Sequence, residues 1–243
     1  MLLLISLAFL EKVPREYFCQ YEGTDTMQSC TPKEFCNNPN VVSFEPNMDL
    51  EDSYDNWVMR FDLHCASPDK IGAIAASFAF GWVLTLLIIP RLSDLHGRQN
   101  IMMVASIFDF VALTMILQTK SYTILICCMV SMGMMATARI QVAVNYMYES
   151  MERKHYTTYY TCIAVGEGIS GLIATCYFMF VSKQSFWVLF MCFVMMGIAA
   201  VCIFLYPESP RYLIKTGQLN QAYEVFDSIA KSNGAKSVTR QEF

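Results

Sequence analysis

The stretch PESPRYL at residues 207–213 and the stretch DLHGR at residues 94–98 each follow a long apolar segment of the chain. Both combine a turn-forming proline or glycine with acidic and basic side chains. Glycine permits a tight turn, and carboxylate and guanidinium groups can bind the unsatisfied backbone groups at helix ends. The two stretches therefore predict apolar helices whose ends are held by charged connections.

The composition indicates that these helices lie in a membrane. Hydrophobic residues make up 55% of the 243 residues, and charged residues make up only 16%. The formal net charge is −4 and the longest basic run is Arg153-Lys154, which argues against a nucleic-acid partner. We find neither a nucleotide-binding loop nor a nucleophile and base at a recognisable spacing. The sequence predicts a membrane protein that is not an enzyme and uses no cofactor.

Five apolar stretches are long enough to cross a bilayer as helices, which takes roughly 20 apolar residues. Residues 1–10 are apolar but too short to span. We interpret them as the remnant of a truncated first transmembrane helix. The alternative is a signal-peptide core, although a basic region and a clear cleavage site are missing. The five predicted spans cover residues 71–92, 101–119, 122–148, 157–181 and 186–206.

Basic residues in the connections predict the orientation. The connections around residues 91–98 and 153–154 and the tail at 207–243 are richer in lysine and arginine than the loops at Lys120 and Lys183. We expect the richer set to be cytoplasmic, with the tail forming the start of a central loop. The segment 11–70, with twelve acidic and five basic residues, is then extracellular, and the plasma membrane is the expected location.

Four cysteines lie in this outer segment, at Cys19, Cys30, Cys36 and Cys65. In an oxidising compartment they predict two disulfides, and the sequence leaves all three connectivities open. A metal site is the weaker alternative, because there is no Cys-x-x-Cys pair and His64 is the only imidazole nearby. We therefore expect no metal.

Three ionisable residues, Asp109, Arg139 and Glu167, lie inside predicted spans and are candidates for the substrate path. A charge in hydrocarbon is costly, so it normally faces a cavity or a partner. We expect Asp109 to pair with Arg139. Glu167 would favour a cationic substrate or proton coupling if it faces the cavity. The alternative is a structural carboxylate that is paired with Arg139 or hydrogen-bonded to a neighbouring tyrosine or threonine. Its neighbours Gly166, Gly168 and Gly171 are expected to allow close helix packing around it.

The loop PRLSDLHGRQ at residues 90–99 resembles the G-x-x-x-D-x-x-G-R-[RK] loop of the major facilitator superfamily. Asp94, Gly97 and Arg98 match that pattern. Pro90 replaces the leading glycine, and Gln99 replaces the final basic residue. The loop is thus a partial match.

The stretch PESPRYL is more specific. Together with the residues that follow it, this stretch resembles the run after helix six of the organic cation/anion/carnitine transporter family. The matching residues are Lys215–Gln218, Ala222, Ile229-Ala230-Lys231 and Asn233-Gly234. Sugar transporters share its first part only. Residues 56–65 resemble that family's entry to helix two, and Glu149 matches an acidic position. The resemblance covers nearly the whole chain but only the family's N-terminal half. It implies an all-α membrane protein, the N-terminal six-helix half of a major facilitator bundle with its first helix truncated.

The resemblance also implies a function, which is secondary transport of small organic cations, anions or carnitine-like solutes by alternating access. The alternatives are a sugar or other small-solute transporter and a non-transporting membrane adaptor or receptor. The expected partners are the substrate, the lipid bilayer, and either a C-terminal half of the same chain or a dimer partner. The charged residues expected to form a cytoplasmic gating cluster, together with one glycine, are Asp94, Gly97, Arg98, Glu149, Arg153, Glu208 and Arg211.

Overall fold

The computed structural model describes residues 2–23, 26–36, 38–50, 53–232 and 234. The chain divides into two compact units, each assembled from three separate segments. The first unit comprises residues 1–76, 115–126 and 163–192, and the second comprises residues 77–114, 127–162 and 193–243.

The first unit contains a small antiparallel sheet that the sequence did not predict. Its three strands are β1 (Tyr17–Tyr21), β2 (Gln28–Cys30) and β3 (Val41–Pro46), in the order β2-β1-β3. Tyr17 pairs with Cys30 on one side and with Pro46 on the other. The helices of this unit's N-terminal part are α1 (Leu2–Leu10) and the single turns α2 (Pro32–Phe35) and α3 (Trp57–Arg60). We call residues 17–65 the sheet domain.

Two disulfides join the sheet domain internally, Cys19–Cys30 and Cys36–Cys65. The first links the paired strands β1 and β2, and the second ties the end of α2 to the chain just before the first span. The buried side chains of Tyr17 and Phe35 pack with the Cys19–Cys30 bridge to form the domain's small core. Because this core is small, the bridges supply much of its stability.

Removing the disulfide that closes the longer loop is expected to destabilise the sheet domain more than removing the disulfide that closes the shorter loop. The Cys36–Cys65 bridge spans 29 residues and the Cys19–Cys30 bridge spans 11. Loop-closure entropy then gives losses of about 3.6 and about 2.8 kcal/mol for the two double serine variants. Denaturant unfolding followed by the fluorescence of Trp57, which is buried in this unit, measures both losses. Equal losses, or the reverse order, would contradict the expectation.

The sheet domain should also lose stability in acid. The Tyr17 hydroxyl and His64 Nδ1 share a hydrogen bond of 2.9 Å, and burial lowers the pKa of His64 although the Asp62 carboxylate opposes the shift. The unfolded chain then binds more protons than the folded domain below about pH 6.5, so stability falls as the pH drops through that value. We expect a lower melting temperature in acid for the wild type and a smaller acid effect in His64→Gln. The same acid effect in both proteins would show that His64 is not responsible.

The remaining helices provide the membrane spans. Within the described part of the chain, four continuous helical segments are long and apolar enough to cross a bilayer, namely Arg98–Gln118, Tyr122–Ser150, Arg153–Val181 and Ser185–Leu205. The second contains a π-helical turn at Ala138–Val142, and the third ends in another at Tyr177–Val181. The constituent helices are α6 (Arg98–Gln118), α7 (Tyr122–Thr137), α8 (Ala143–Ser150), α9 (Tyr156–Cys176) and α10 (Ser185–Leu205).

The first predicted span, residues 71–92, is a bent pair of helices. Helix α4 (Pro68–Thr85) and helix α5 (Ile88–His96) meet at 51°, and together they are long enough to span. Pro90 explains the break, because proline cannot donate to the carbonyl four residues earlier and its ring clashes with that carbonyl. The chain after α10 forms two shorter helices, α11 (Pro210–Lys215) and α12 (Leu219–Ser232).

Close helix packing in the second unit depends on two glycines that the sequence analysis did not single out. A Cβ atom on Gly81 of α4 would overlap the carbonyl oxygen of Val130, and one on Gly133 of α7 would overlap the carbonyl oxygen of Phe78. The Thr85 hydroxyl also donates to the Met134 carbonyl oxygen at 2.9 Å. The backbones of α4 and α7 therefore touch at these glycines.

The prediction that the glycines of α9 allow close helix packing is wrong for the described residues of the first unit. A Cβ atom on Gly166 or Gly168 would have no neighbour within 4 Å, and one on Gly171 would meet only Ile5 side-chain atoms at ordinary contact distances. Flanking glycines are typical of close packing, but they equally leave a helix surface open, and the sequence does not distinguish the two.

Candidate functional site

A carboxylate from far along the chain caps the N-terminus of α6. Glu208 Oε1 accepts backbone hydrogen bonds from Arg98 at 3.0 Å and from Gln99 at 3.2 Å, across a separation of 110 residues. It also accepts from the backbone N–H of Ser209 at 2.9 Å. The first N–H groups of a helix lack partners within the helix and carry partial positive charge, so an ionised side chain here is favourable.

Gly97 makes this capping possible. Its φ of 95° is a left-handed conformation that other residues rarely adopt, and it ends α5 so that the chain can turn into α6. A Cβ atom at this position would overlap the Glu208 carboxylate. The glycine of the loop motif therefore serves both the turn and the approach of Glu208.

Arg98 joins two further carboxylates at the same end of the second unit. Its Nη2 atom lies 2.8 Å from Asp94 Oδ1, one turn earlier on α5, and 2.8 Å from Glu149 Oε1 at the end of α8. The Arg98 side chain is 12% exposed and that of Glu149 is 16% exposed, whereas Asp94 is 53% exposed. The contact with Glu149 is therefore the better shielded of the two.

Three polar residues that the sequence analysis did not place in the cluster complete it. The Ser209 hydroxyl donates to Glu149 Oε2 at 2.6 Å. The Gln99 side-chain amide donates to the Tyr206 carbonyl oxygen near the end of α10, and the buried Tyr146 hydroxyl donates to the Pro207 carbonyl oxygen at 2.7 Å. Gln99 was noted only as a departure from the motif, and its amide here binds a carbonyl at a helix end.

The structure does not bring Arg153 and Arg211 into this cluster. Both side chains are exposed, and neither forms an ion pair with the residues that the structure describes. Of the seven predicted members, those brought together are Asp94, Gly97, Arg98, Glu149 and Glu208.

Asp109 of α6 and Arg139 of the π-helical turn form an ion pair inside the second unit, as the sequence analysis expected. Arg139 Nε lies 2.8 Å from Asp109 Oδ2, and the Asp109 side chain is fully buried. Arg139 Nη2 also donates to the Met132 carbonyl oxygen at 3.3 Å. The pair lines a cavity of about 270 Å³ that also borders α10.

Glu167 lies in the first unit, on α9, and is half-buried. Its carboxylate forms no ion pair with the described residues, and its neighbours Gly166 and Gly168 border open space. Because Arg139 is paired with Asp109, Glu167 is left as the unpaired ionisable group among the three candidates within the spans.

Residues 17–243 match the model of the family described as "Sugar (and other) transporter". This match covers most of the chain. The chain belongs to the sugar (and other) transporter family. It is also 24% identical to human organic cation/carnitine transporter 2 in an alignment 238 positions long that covers 88% of this chain and 42% of that relative. The chain thus spans less than half the length of this curated relative.

Family membership establishes the general class of the protein. It is a multi-pass integral membrane protein with the fold of the N-terminal half of a major facilitator bundle. The lipid bilayer is therefore the surrounding solvent of its spans.

Proposed function

We propose that this chain forms the N-terminal half of a secondary transporter that carries small organic ions by alternating access. In such a transporter, two bundle halves rock about a substrate site near the bilayer midplane. The observation that carries the proposal is the Glu208 cap on α6 together with the Arg98 contacts to Asp94 and Glu149.

This cluster has the charge balance expected of a latch between two halves. The Arg98 guanidinium group contacts the carboxylates of Asp94 and Glu149, and the carboxylate of Glu208 binds the Arg98 backbone N–H, so that three carboxylates accompany one guanidinium group. The excess negative charge attracts a basic surface, which a C-terminal half or a second copy of the chain would supply. Because Asp94 is the most exposed carboxylate of the three, it is the first that such a partner would reach.

The proposed orientation is supported by the disulfides and by the basic residues of the connections. Two disulfides in the sheet domain suit an oxidising compartment, so this domain is placed outside the cell. The Glu208 cluster and the helices α11 and α12 are then cytoplasmic, which agrees with the basic residues of those connections. We place the protein in the plasma membrane on these grounds.

Organic cations are the favoured substrates within the organic-ion class. Glu167 supports this preference, because it is an acid within a span that has no ion-pair partner among the described residues and lies beside open space. An intramembrane acid of this kind indicates a functional site. A cationic substrate would neutralise the carboxylate when it binds.

Replacing Glu167 by glutamine is therefore expected to reduce cation uptake at least tenfold, because glutamine keeps the shape but not the charge. The measurement is uptake of radiolabelled tetraethylammonium by cells that express the open reading frame containing this chain. The exposed Glu152→Gln variant is the matched control and should transport normally. Unchanged uptake by Glu167→Gln at equal surface expression would remove Glu167 from the substrate path.

The same cells also test the substrate class. Uptake of tetraethylammonium, with little uptake of an aliphatic sulfonate or a hexose, is the expected result. Hexose uptake alone would favour the alternative of a sugar transporter, which the description of the matched family supports. If none of the three solutes enters, the organic-ion proposal fails and a non-transporting adaptor or receptor becomes the better account.

A further inference from the structure

We propose that the second unit contains a binding site for an uncharged amphiphile with a single hydroxyl donor and an aliphatic body, in the cavity beside the Asp109–Arg139 pair. The cavity has a volume of about 270 Å³ and lies between α6, the π-helical turn with the start of α8, and α10. All residues that line this cavity belong to the second unit, and the proposed site is independent of the solute that the protein transports.

A hydroxyl group on the ligand is inferred from Asp109, whose buried carboxylate lacks a hydrogen-bond donor. Asp109 is fully buried, and neither of its oxygens accepts a directed hydrogen bond from the described residues, although Arg139 is in ionic contact with Oδ2. The nearest hydroxyl one turn earlier on α6, that of Ser106, donates to the Met102 carbonyl oxygen instead. Arg139 thus neutralises Asp109 through Oδ2, whereas Oδ1 has no donor among the described residues. A buried acceptor without a donor is costly, and the residue that carries this one borders a cavity large enough for a ligand.

The neutrality of the ligand follows from the ion pair. Asp109 and Arg139 cancel one another in charge, so a cation or an anion in the cavity would add an uncompensated charge within a membrane span. A hydroxyl group supplies the missing hydrogen bond to the carboxylate without adding charge. Neutral alcohols are thus preferred over ammonium or carboxylate compounds.

The apolar walls of the cavity indicate that the ligand has an aliphatic body. Apart from the ion pair and Ser106, the walls are apolar, formed by Met102, Met196, Ala199 and Ile203 among others. Water needs two to four polar partners and occupies about 30 Å³ in the liquid, so water could satisfy Asp109 but could not fill the rest of the cavity favourably. One molecule with a donor at one end and a hydrocarbon body fits both parts.

The route into the site is from the lipid. Ala199 of α10 lines the cavity and is exposed, and its neighbours Met195 and Ile198 are 60% and 54% exposed. An apolar helix surface of this kind faces acyl chains in a membrane protein. A second cavity of about 310 Å³ shares Met102 and Ile203 as walls, which provides room for the far end of a longer chain.

Photolabelling of the purified chain in phosphatidylcholine nanodiscs tests the proposal. The two probes are 1-octanol with a diazirine on its chain and the methyl ether of the same compound, which cannot donate a hydrogen bond. We expect the alcohol to label cavity residues of α6 and α10 at least fivefold more than the ether does, as mapped by mass spectrometry. Equal labelling by both probes, or labelling by neither, would overturn the site.

Filling the cavity provides a second test. Ala199→Trp should remove the labelling, whereas Val201→Trp, at an exposed position of the same helix that lines neither cavity, should leave it intact. If Ala199→Trp does not fold, competition on the wild type replaces it. Unlabelled octanol should then suppress labelling and octyl methyl ether should not, and suppression by both would contradict the role of Asp109.

Discussion

Replacing Gly133 by leucine is expected to prevent recovery of folded protein. A Cβ atom at this position would overlap the carbonyl oxygen of Phe78, and both are backbone-fixed atoms that no side-chain rotation can separate. Helices α4 and α7 would have to move apart, which would break the Thr85 bonds to the Met134 carbonyl oxygen and to the Thr137 hydroxyl. Overpacking commonly destabilises a protein by about 1–3 kcal/mol, and we expect the separation of two helix backbones to cost at least as much.

The measurement is the yield of monodisperse protein in detergent, followed by its melting temperature. Gly168→Leu is the matched control, since it makes the same substitution in a membrane helix where a Cβ atom has no neighbour within 4 Å. That variant should fold, whatever its effect on transport. Similar yields and melting temperatures for the two variants would show that α4 and α7 do not touch at Gly133.

Replacing Glu208 by glutamine is expected to reduce transport by roughly ten- to a hundredfold while the protein still folds. Glutamine keeps one carbonyl oxygen for the backbone N–H groups of Arg98 and Gln99 but loses the negative charge at the start of α6. Charge-assisted hydrogen bonds contribute about 1.5–3 kcal/mol, and each 1.4 kcal/mol changes the equilibrium of the latched state about tenfold. The loss falls on the conformational cycle because folding is supported by the many other contacts of this unit.

Uptake and melting temperature must be measured on the same preparation to separate the two effects. Glu224→Gln, an exposed residue of the nearby helix α12, removes the same charge without a cap and should be neutral in both assays. Arg98→Gln should resemble Glu208→Gln, because it releases Asp94 and Glu149 at once. If Glu208→Gln transports like the wild type, Glu208 is not part of a latch. If its melting temperature falls sharply, Glu208 is needed for folding.

The sequence carried much of the candidate site. The charged residues within the stretches 94–98 and 207–213 indicated charged groups at helix ends. Five of the seven residues predicted for the gating cluster lie together. Arg153 and Arg211 do not join them, because a charge pattern predicts which side of the membrane a residue occupies but not which partner it finds. Ser209 and Tyr146 were missed for the same reason, since a lone hydroxyl carries no signal until its acceptor is in place.

The sequence by itself determined the class of fold and the family, because the length of apolar segments and short charged motifs are local properties of the chain. Only the tertiary structure decided the disulfide connectivity, the Glu208 contact across 110 residues and the glycines at which α4 and α7 touch. It also decided that Gly81 and Gly133, rather than Gly166 and Gly168, lie at a close contact. These features depend on which distant segments pack together, and spacing along the chain does not specify that choice.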